Sequence, residues 1–205
     1  MACSEATKFV KLLLATANKG KIAELQKLCA SEGIEVVSIN DPDIPNLDVE
    51  ETGATFAENA ELKARAFARA TELPVLADDS GLEVDAMDGG PGVKSARWVA
   101  GSDDDRNAAL LEKLANESNR TANFKTVVCY LENSDAEPLF FEGTISGTIA
   151  TTLSGSEGFG YDPLFIPEGY DKTFAELGVE VKNTLSHRAR AFKKAVEYLH
   201  SSAAK

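Results

Sequence analysis

The chain alternates short apolar segments of strand length with amphipathic segments of helix length. Residues 11–15 predict a buried strand, apolar residues at helical spacing follow until Gly33, and residues 34–39 predict a second strand. The order of these patterns predicts that the chain opens as β-α-β. This order predicts an α/β protein with a mixed β-sheet and flanking helices.

The same alternation continues toward the C terminus. Thr55 and Glu58 form a capping-box pattern that opens a helix to about Thr71. A strand at 74–77 is predicted to end at Asp78, with 82–86 as its continuation or its partner. The remaining predicted elements are a helix capped by Ser102, a hairpin of 124–131 and 139–151, a short capped turn at 173–177, and a final helix opened by residues 186–188.

Length, charge and cysteine content exclude several classes of protein. The 205 residues fit a single domain over 1–205, with room for two lobes around a shared cleft, and the net charge of −12 argues against a nucleic-acid partner. No apolar run approaches the roughly 20 residues of a membrane span, and the first residues lack a secretory signal. We therefore expect a cytoplasmic protein with no membrane partner. Cys3, Cys29 and Cys129 form no C-x-x-C pair, which disfavours disulfides and a zinc site.

The turn at 16–21, between the first strand and the first helix, is a candidate phosphate site. A helix that begins there presents free backbone N–H groups and a positive dipole end, and Lys21 adds a full charge. The turn is not a P-loop, because Ala15 and Ile22 replace the required glycine and hydroxyl residue. The alternative is an ordinary turn with solvated lysines.

Lys63 interrupts an apolar helix face. Phe56, Ala60, Phe67 and Ala70 lie on the same predicted stripe as Lys63. One interpretation is a lysine whose methylenes pack while its amine reaches the surface. The other is an ammonium held in a cleft to neutralise an anion.

Acidic pairs occur at two predicted loop or strand-end positions. Glu50 and Glu51 precede the helix that carries Lys63, and Asp78 and Asp79 follow a predicted strand. Such carboxylates suit Mg²⁺, and one of them can act as a general base toward water. The alternative for Glu50 and Glu51 is a solvated loop. The acidic run at 103–105 is at a predicted helix start, and we attribute it entirely to capping.

Two further segments carry unusual chemistry. His187 and Arg188 open the last helix, where cations oppose the helix dipole, so they suit a phosphate or a base carbonyl. The alternative is an unpaired surface location.

Glycines flank Phe159, which allows its ring to approach a flat ligand, and Asp162 follows as a hydrogen-bond acceptor. The alternative there is a tight hairpin with Phe159 in the core.

Taken in order, these segments resemble the inosine/xanthosine triphosphate pyrophosphatase family, most closely its bacterial members. The resemblance runs from Leu12 to about Leu199, with one departure, Ala17, where the family usually has glycine. It rests on Thr16-Ala17-Asn18-Lys19-Gly20-Lys21, Glu50-Glu51-Thr52-Gly53, Thr55-Phe56-x-Glu58-Asn59-Ala60-x-x-Lys63-Ala64, Ala77-Asp78-Asp79-Ser80-Gly81-Leu82, Gly89-Gly90-Pro91-Gly92-x-x-Ser95-Ala96-Arg97, Gly158-Phe159-Gly160-Tyr161-Asp162-Pro163 and Leu185-Ser186-His187-Arg188.

The resemblance implies a Mg²⁺-dependent hydrolase that converts ITP, dITP and XTP to the monophosphate and pyrophosphate. It implies an elongated mixed sheet with two lobes around a central substrate cleft, and a homodimer. Asp79 and Glu51 (or its neighbour Glu50) are implied to hold Mg²⁺, with Asp79 as proton acceptor and Lys63 as a second catalytic residue. The implied substrate-binding residues are Thr16, Ala17, Asn18, Lys19, Gly20, Lys21, Lys63, Ser80, Phe159, Gly160, Tyr161, Asp162, Lys182, His187 and Arg188.

Within that set the resemblance implies separate tasks. Lys21, Lys63 and Lys182 bind the triphosphate, Phe159 stacks on the base, and Asp162 bonds near it. His187 and Arg188 read the 6-oxo group of the purine. Two alternatives stay open: the same chemistry on another modified nucleotide, such as a pyrimidine triphosphate, and a non-catalytic nucleotide-binding or sensor protein.

Overall fold

A computed structural model describes residues 10–29 and 34–203, and within them the alternation of the sequence becomes seven strands and five α-helices, with two short 3-10 helices at Asp85–Met87 and Gly92–Lys94. In chain order the elements are β1 (Val10–Leu14), α1 (Lys19–Cys29), β2 (Ile34–Ser38), α2 (Phe56–Thr71), β3 (Val75–Val84), β4 (Gly90–Pro91), α3 (Asp103–Lys113), β5 (Thr121–Leu131), β6 (Leu139–Ile149), β7 (Phe165–Pro167), α4 (Phe174–Leu185) and α5 (His187–Ala203).

The strands form a mixed sheet in the order β2-β1-β3-β5-β6-β7, and β4 pairs with β3. β1 is parallel to both β2 and β3, as expected when a helical crossover joins neighbouring strands. β4 is antiparallel to β3, and β7 is antiparallel to β6. The predicted α/β class with a mixed sheet and flanking helices is confirmed. The two lobes around a substrate cleft stay a prediction.

The chain divides into two compact units, each with its own apolar core. Unit 1 contains the described residues up to Asp78, then Val128–Phe141 and those from Phe192 onward. Its core joins β1 and β3 to one face of α2, with Leu13, Phe67 and Val75 among the buried residues. Unit 2 contains Asp79–Val127 and Glu142–Ala191. Its core is aromatic and aliphatic, and Phe124, Phe165 and Phe174 contact one another there.

The capping signals of the sequence locate three helix starts correctly. Thr55 and Glu58 form the expected capping box at α2, and Ser102 and Asp105 form one at α3. Thr173 and Glu176 form a third at α4. Each box satisfies backbone N–H groups that have no partner inside the helix.

The prediction that a strand ends at Asp78 is wrong. β3 continues without interruption to Val84, so the segment 82–86 is largely its continuation and not a partner strand. Asp, Ser and Gly are typical turn residues, which is why the run 78–81 resembled a strand end. Neighbouring strands override that local preference by supplying hydrogen-bond partners.

Two elements near the C terminus differ from the prediction. The expected short turn at 173–177 is only the first part of α4, which extends to Leu185. Gly178, with φ 82° and ψ 168°, interrupts the helical conformation and explains why the sequence pattern seemed to stop there. The short strand β7 was not predicted, because three residues carry almost no periodic signal.

In the described part of the chain, no helix is both long enough and apolar enough to cross a membrane. Cys3 and Gly33 lie outside the described residues. Cys29 and Cys129 are buried, and neither forms a disulfide within the described residues.

Candidate nucleotide site

The turn after β1 is held by its own side chains. α1 begins at Lys19, earlier than the apolar spacing suggested. Asn18 Oδ1 accepts hydrogen bonds from the N–H groups of Gly20 (2.9 Å) and Lys21 (3.2 Å), and Thr16 Oγ1 accepts one from Asn18 N (3.2 Å). The expectation of free N–H groups is therefore wrong for Gly20 and Lys21, because Asn18 caps the helix.

Ala17 fits this turn without backbone strain. Within the described chain, the non-glycine residues with positive φ are Glu72 and Asp88. Ala17 therefore has an ordinary backbone conformation that does not need glycine. Its side chain is exposed, as are those of Lys19 and Glu50.

Lys21 forms a buried ion pair with Asp78. Its Nζ lies 2.7 Å from Asp78 Oδ2, and the two side chains are 14% and 0% exposed. β1 pairs with β3 as far as Leu76, so Asp78 follows immediately beyond the end of β1. The carboxyl ends of parallel strands are where α/β proteins place ligands, and Lys21 is held at that place.

Lys63 reaches the same part of unit 1 from α2. Its Nζ donates to Glu51 Oε1 at 2.7 Å and to the main-chain oxygen of Asp78 at 2.5 Å. Its side chain is 15% exposed, while Phe56, Ala60 and Phe67 on the same helix face are buried. Ala70, predicted on that face, is exposed. Lys63 is thus an ammonium fixed by oxygen atoms, and not one extended into solvent.

Asn59 is a residue that sequence reasoning overlooked. It is fully buried, and its Oδ1 accepts a hydrogen bond from Gly53 N at 2.8 Å. A Cβ on Gly53 would lie 2.7 Å from that oxygen, so glycine is required for the approach. The bond ties the loop that carries Glu51 to α2. A polar residue on the buried face of a predicted helix was the signal that could have revealed it.

In unit 2, Asp79 continues β3 with a nearly buried carboxylate, 7% exposed for the residue. Its Oδ1 accepts a hydrogen bond from Ser80 N (2.9 Å), and its main-chain oxygen accepts one from Thr126 Oγ1 (3.1 Å). Adjacent strand residues face opposite sides of a sheet, so the side chains of Asp78 and Asp79 lie on opposite faces of β3.

Phe159 lies among cations in unit 2. Its ring is within 4.3 Å of Lys182 Nζ and 4.9 Å of Arg188 Cζ, measured to the ring centroid. Phe159 is 39% exposed, so the alternative that placed it in the core is wrong. Lys182, on the part of α4 beyond Gly178, is buried and bonded to Asp162 Oδ2. Asp162 Oδ2 also accepts a hydrogen bond from Phe159 N at 2.8 Å.

His187 and Arg188 are buried at the start of α5, 2% and 3% exposed. The alternative of an unpaired surface location is therefore wrong. The His187 ring stacks on Phe124 at 4.8 Å between centroids, and Ser186 Oγ accepts a hydrogen bond from Ala189 N. A buried guanidinium near an accessible aromatic ring is a place where an anion or a carbonyl oxygen can be recognised.

Asp103 does more than cap α3, so the interpretation of the 103–105 run as capping alone is wrong. Asp105 supplies the capping box, whereas Asp103 Oδ2 accepts a hydrogen bond from Gly160 N at 2.7 Å. Burial raises the pKa of Asp103, but its bonds with Arg106 and Gly160 outweigh that effect, so the pKa lies below its ordinary value. Tyr161, beside Gly160, belongs to the core, and its hydroxyl donates to the Ser95 main-chain oxygen.

Across residues 10–29 and 34–203, no group of three or more His, Cys, Asp or Glu residues is arranged to hold a metal ion by itself. Glu51 in unit 1, which bonds to Lys63, and Asp79 in unit 2 each offer carboxylate oxygens. Mg²⁺ favours this hard donor type and typically uses only one or two carboxylates, with phosphate and water completing its shell. Each of these carboxylates is therefore of a type that can bind a metal together with a phosphate ligand.

Unit 1 contains two lysines paired with acidic residues, and unit 2 contains an accessible aromatic ring beside an arginine. Groups of the first kind suit anionic ligands, and those of the second kind suit aromatic ones. The model of the Ham1 family matches residues 12–198 of the chain. The chain therefore belongs to the Ham1 family.

Named relatives agree with this assignment over almost the whole chain. The chain is 48% identical to a dITP/XTP pyrophosphatase from Symbiobacterium thermophilum, over 92% of this chain and 94% of that protein. It is 51% identical to a dITP/XTP pyrophosphatase from Exiguobacterium sp., over 90% of this chain and 94% of that protein. Among solved structures, a HAM1 protein from Coxiella burnetii has a TM-score of 0.87 at 40% identity, covering 94% of this chain and 100% of that one.

Proposed function

We propose that this protein hydrolyses non-canonical purine nucleoside triphosphates, such as dITP, ITP and XTP, to the monophosphate and pyrophosphate. The observation that carries the proposal is the arrangement around Asp78, where Lys21 Nζ and Lys63 Nζ both bond to that residue and Glu51 bonds to Lys63. Relatives about half identical to this chain are named for this activity. Removal of such nucleotides would cleanse the nucleotide pool.

The lysines would bind the phosphate chain. Lys21 and Lys63 are paired with oxygen atoms of Asp78 and Glu51, which keeps two ammonium groups in place at low exposure. A triphosphate offers the same kind of oxygen partner with more charge. Lys182 would contribute a third cation from the group around Phe159. Thr16, Asn18, Lys19, Gly20 and the exposed Ala17 would border the phosphates.

Glu51 and Asp79 would hold Mg²⁺, and the exposed Glu50 is the weaker candidate. When bound, the ion would withdraw charge from the phosphate oxygens of the substrate. The Asp79 carboxylate would accept a proton from water as the water oxygen bonds to the α-phosphorus. The bond between the α-phosphorus and the oxygen that bridges the α- and β-phosphates then breaks, and the lysine charges would stabilise the leaving pyrophosphate. Ser80 would border this position.

Base selection would rest on Phe159, His187 and Arg188. An accessible aromatic ring can stack on a purine, and a stacked base is worth about 1–3 kcal/mol. Arg188 and His187 would donate to the 6-oxo group of the base, while Asp162, Gly160 and Tyr161 would form the loop beneath it. Adenine has an amino group at that position, so a buried donor would lose its partner and adenine nucleotides would be disfavoured.

The assembly is a further part of the proposal. Following the family resemblance, the chain would be one domain over 1–205 with two lobes around a substrate cleft, and would function as a cytoplasmic homodimer. Light scattering coupled to gel filtration measures the oligomeric state directly, and a monomer at micromolar concentration would contradict the dimer.

The test of the activity is a substrate panel of ITP, XTP, dITP, GTP, ATP and dUTP with Mg²⁺, in which pyrophosphate and phosphate are measured separately. The wild type should release pyrophosphate from ITP, XTP and dITP at much higher kcat/KM than from ATP. Asp79→Asn should abolish turnover and keep the fold. Asp135→Asn, at an exposed position in the turn after β5, is the matched control and should behave as wild type.

The outcomes separate the alternatives. Preferred hydrolysis of dUTP would indicate the same chemistry on another nucleotide. Nucleotide binding without pyrophosphate release would indicate a sensor protein. Normal activity in Asp79→Asn would reject Asp79 as the proton acceptor.

A further inference from the structure

Both main-chain groups of Gly160 are held by side chains of α3. Asp103 Oδ2 accepts a hydrogen bond from Gly160 N at 2.7 Å. Asn107 Nδ2 donates one to Gly160 O at 3.0 Å. Asp103 and Asn107 are four residues apart, so they lie on the same face of the helix. One face of α3 therefore binds both the N–H and the carbonyl oxygen of Gly160.

The bonds that Asp103 and Asn107 form with Gly160 are not needed to cap α3. Ser102 and Asp105 already form the capping box, and asparagine is a poor residue for a helix interior. Asn107 is 1% exposed, and its Oδ1 has no hydrogen-bond partner within the described residues. A buried amide oxygen without a partner is costly, so the contact that Asn107 does make needs a reason beyond helix formation.

The segment held in this way is the one that carries Phe159. Gly160 has φ 63°, a conformation that favours glycine, and it follows Phe159 directly. On the other side of Phe159, its own N–H donates to Asp162 Oδ2. The Phe159 ring is 39% exposed, so packing does not fix it from all sides. Its location depends on the main chain that Asp103, Asn107 and Asp162 hold.

Asp103 is itself fixed. Arg106 Nη2 donates to its Oδ1 at 2.5 Å, which leaves Oδ2 directed at Gly160. Arg106 also donates to the main-chain oxygen of Gly101, so the guanidinium is anchored to the segment before α3. The carboxylate is therefore an oriented acceptor, and its contact with Gly160 does not depend on a freely rotating side chain.

We propose that Asp103 and Asn107 are positioning residues for base recognition: they hold Gly160 so that the Phe159 ring is presented to the purine. This inference rests on the proposed function, in which Phe159 stacks on the base. These two hydrogen bonds affect substrate binding more than the chemical step, because they position the stacking ring and not the carboxylate that takes the proton. Loss of either bond should therefore raise KM with little change in kcat.

The experiment uses the full chain with four variants. Asp103→Ala and Asn107→Ala each remove one hydrogen bond to Gly160. Asp103→Asn keeps an acceptor for Gly160 N, so its KM should stay close to the wild-type value. Asp105→Ala is the control for helix stability, because it removes the Asp105 side-chain half of the capping box of α3 without touching Gly160. For each protein, kcat and KM for XTP are measured, together with amide hydrogen exchange of the peptide that contains residues 158–162.

Asp103→Ala and Asn107→Ala should each raise KM for XTP about fivefold to tenfold, the effect of losing roughly one hydrogen bond. The kcat should stay within about twofold, a change too small to indicate a lost hydrogen bond. Exchange in 158–162 should accelerate in both variants and not in Asp105→Ala. Unchanged exchange would show that the helix does not hold the loop, whatever the activity. Faster exchange with unchanged KM, or equal loss in Asp105→Ala, would reject the role in base recognition.

The hydrogen-exchange measurement keeps the two proposals apart. If wild type turns over none of the purine triphosphates, the proposed function fails and the role in base recognition fails with it. The exchange data would still decide whether α3 holds Gly160. If wild type is active on XTP and the alanine variants have normal KM, only the positioning inference is overturned.

Discussion

The Lys21–Asp78 pair offers a sharp test of how unit 1 is built, because its two members differ in access to water. Asp78 has no exposed side-chain surface, while the Lys21 side chain is 14% exposed. At 2.7 Å the Coulomb attraction is about 6 kcal/mol with an effective dielectric constant near 20. Desolvation of both groups offsets most of this, so the informative quantity is the difference between removing one partner and removing the other.

Lys21→Met leaves a carboxylate buried without this cation, and we expect a loss of at least about 3 kcal/mol in the free energy of unfolding. In a protein of this size that lowers Tm by roughly 6–12 °C. Asp78→Asn leaves an ammonium that retains some contact with water and an amide that can still bond to it. Its cost should be smaller, about 1–2 kcal/mol.

The assay is urea unfolding followed by circular dichroism, with a double-mutant cycle completed by Lys21→Met/Asp78→Asn. The double variant should be more stable than Lys21→Met alone, because the buried charge is gone. Lys11→Met is the control: Lys11 and Glu35 are 3.9 Å apart and both more than half exposed. Such a surface pair contributes about 0–1 kcal/mol. A larger loss from Asp78→Asn than from Lys21→Met would refute the reasoning about burial.

Three further predictions concern the site and its surroundings. Lys63→Met removes the cation that bonds to Glu51, and we expect kcat/KM for XTP to fall by about thirtyfold or more, checked by pyrophosphate release; activity near wild type would make Lys63 structural. Arg188→Ala should raise KM for ITP far more than for ATP, so that the preference for ITP over ATP falls by roughly 1.5–3 kcal/mol. An equal loss of kcat/KM for both nucleotides would assign Arg188 to the phosphates. Burial raises the pKa of Cys129 and of Tyr161 to about 12, from 9.0 and 10.0, so the folded groups stay neutral where the unfolded ones ionise. Stability should therefore be complete below about pH 9 and decline as pH rises toward 12, and a urea midpoint unchanged between pH 7.5 and 10.5 would contradict this.

Local patterns were sufficient for the elements whose stability comes from nearby residues. The capping box of Thr55 and Glu58 predicted the start of α2, because its bonds form within one helical turn. The β-α-β opening followed from apolar spacing alone. These features depend on sequence neighbours, so they can be read without knowledge of the fold.

Other features depend on residues distant in the chain. The run at 78–81 resembles a turn, yet β3 continues through it because adjacent strands provide partners. Asp103 resembles a capping residue, yet its carboxylate is committed to Gly160, 57 positions away. Propensity describes what a segment prefers in isolation, and tertiary hydrogen bonds decide which preference is expressed.

The candidate site shows the same division. The sequence by itself determined which residue types are present: lysines on a turn and on an apolar helix face, carboxylates before α2 and along β3, and a phenylalanine between glycines. It also determined the family, through the order and spacing of its motifs. Only the tertiary structure decided that Lys21 pairs with Asp78, that Lys63 bonds to Glu51, and that Phe159 lies beside Lys182 and Arg188. The physical reason is that the role of a charged side chain depends on the oxygen atoms and aromatic rings that folding brings within about 4–6 Å of it. The number of residues between two positions in the sequence does not determine their distance in space.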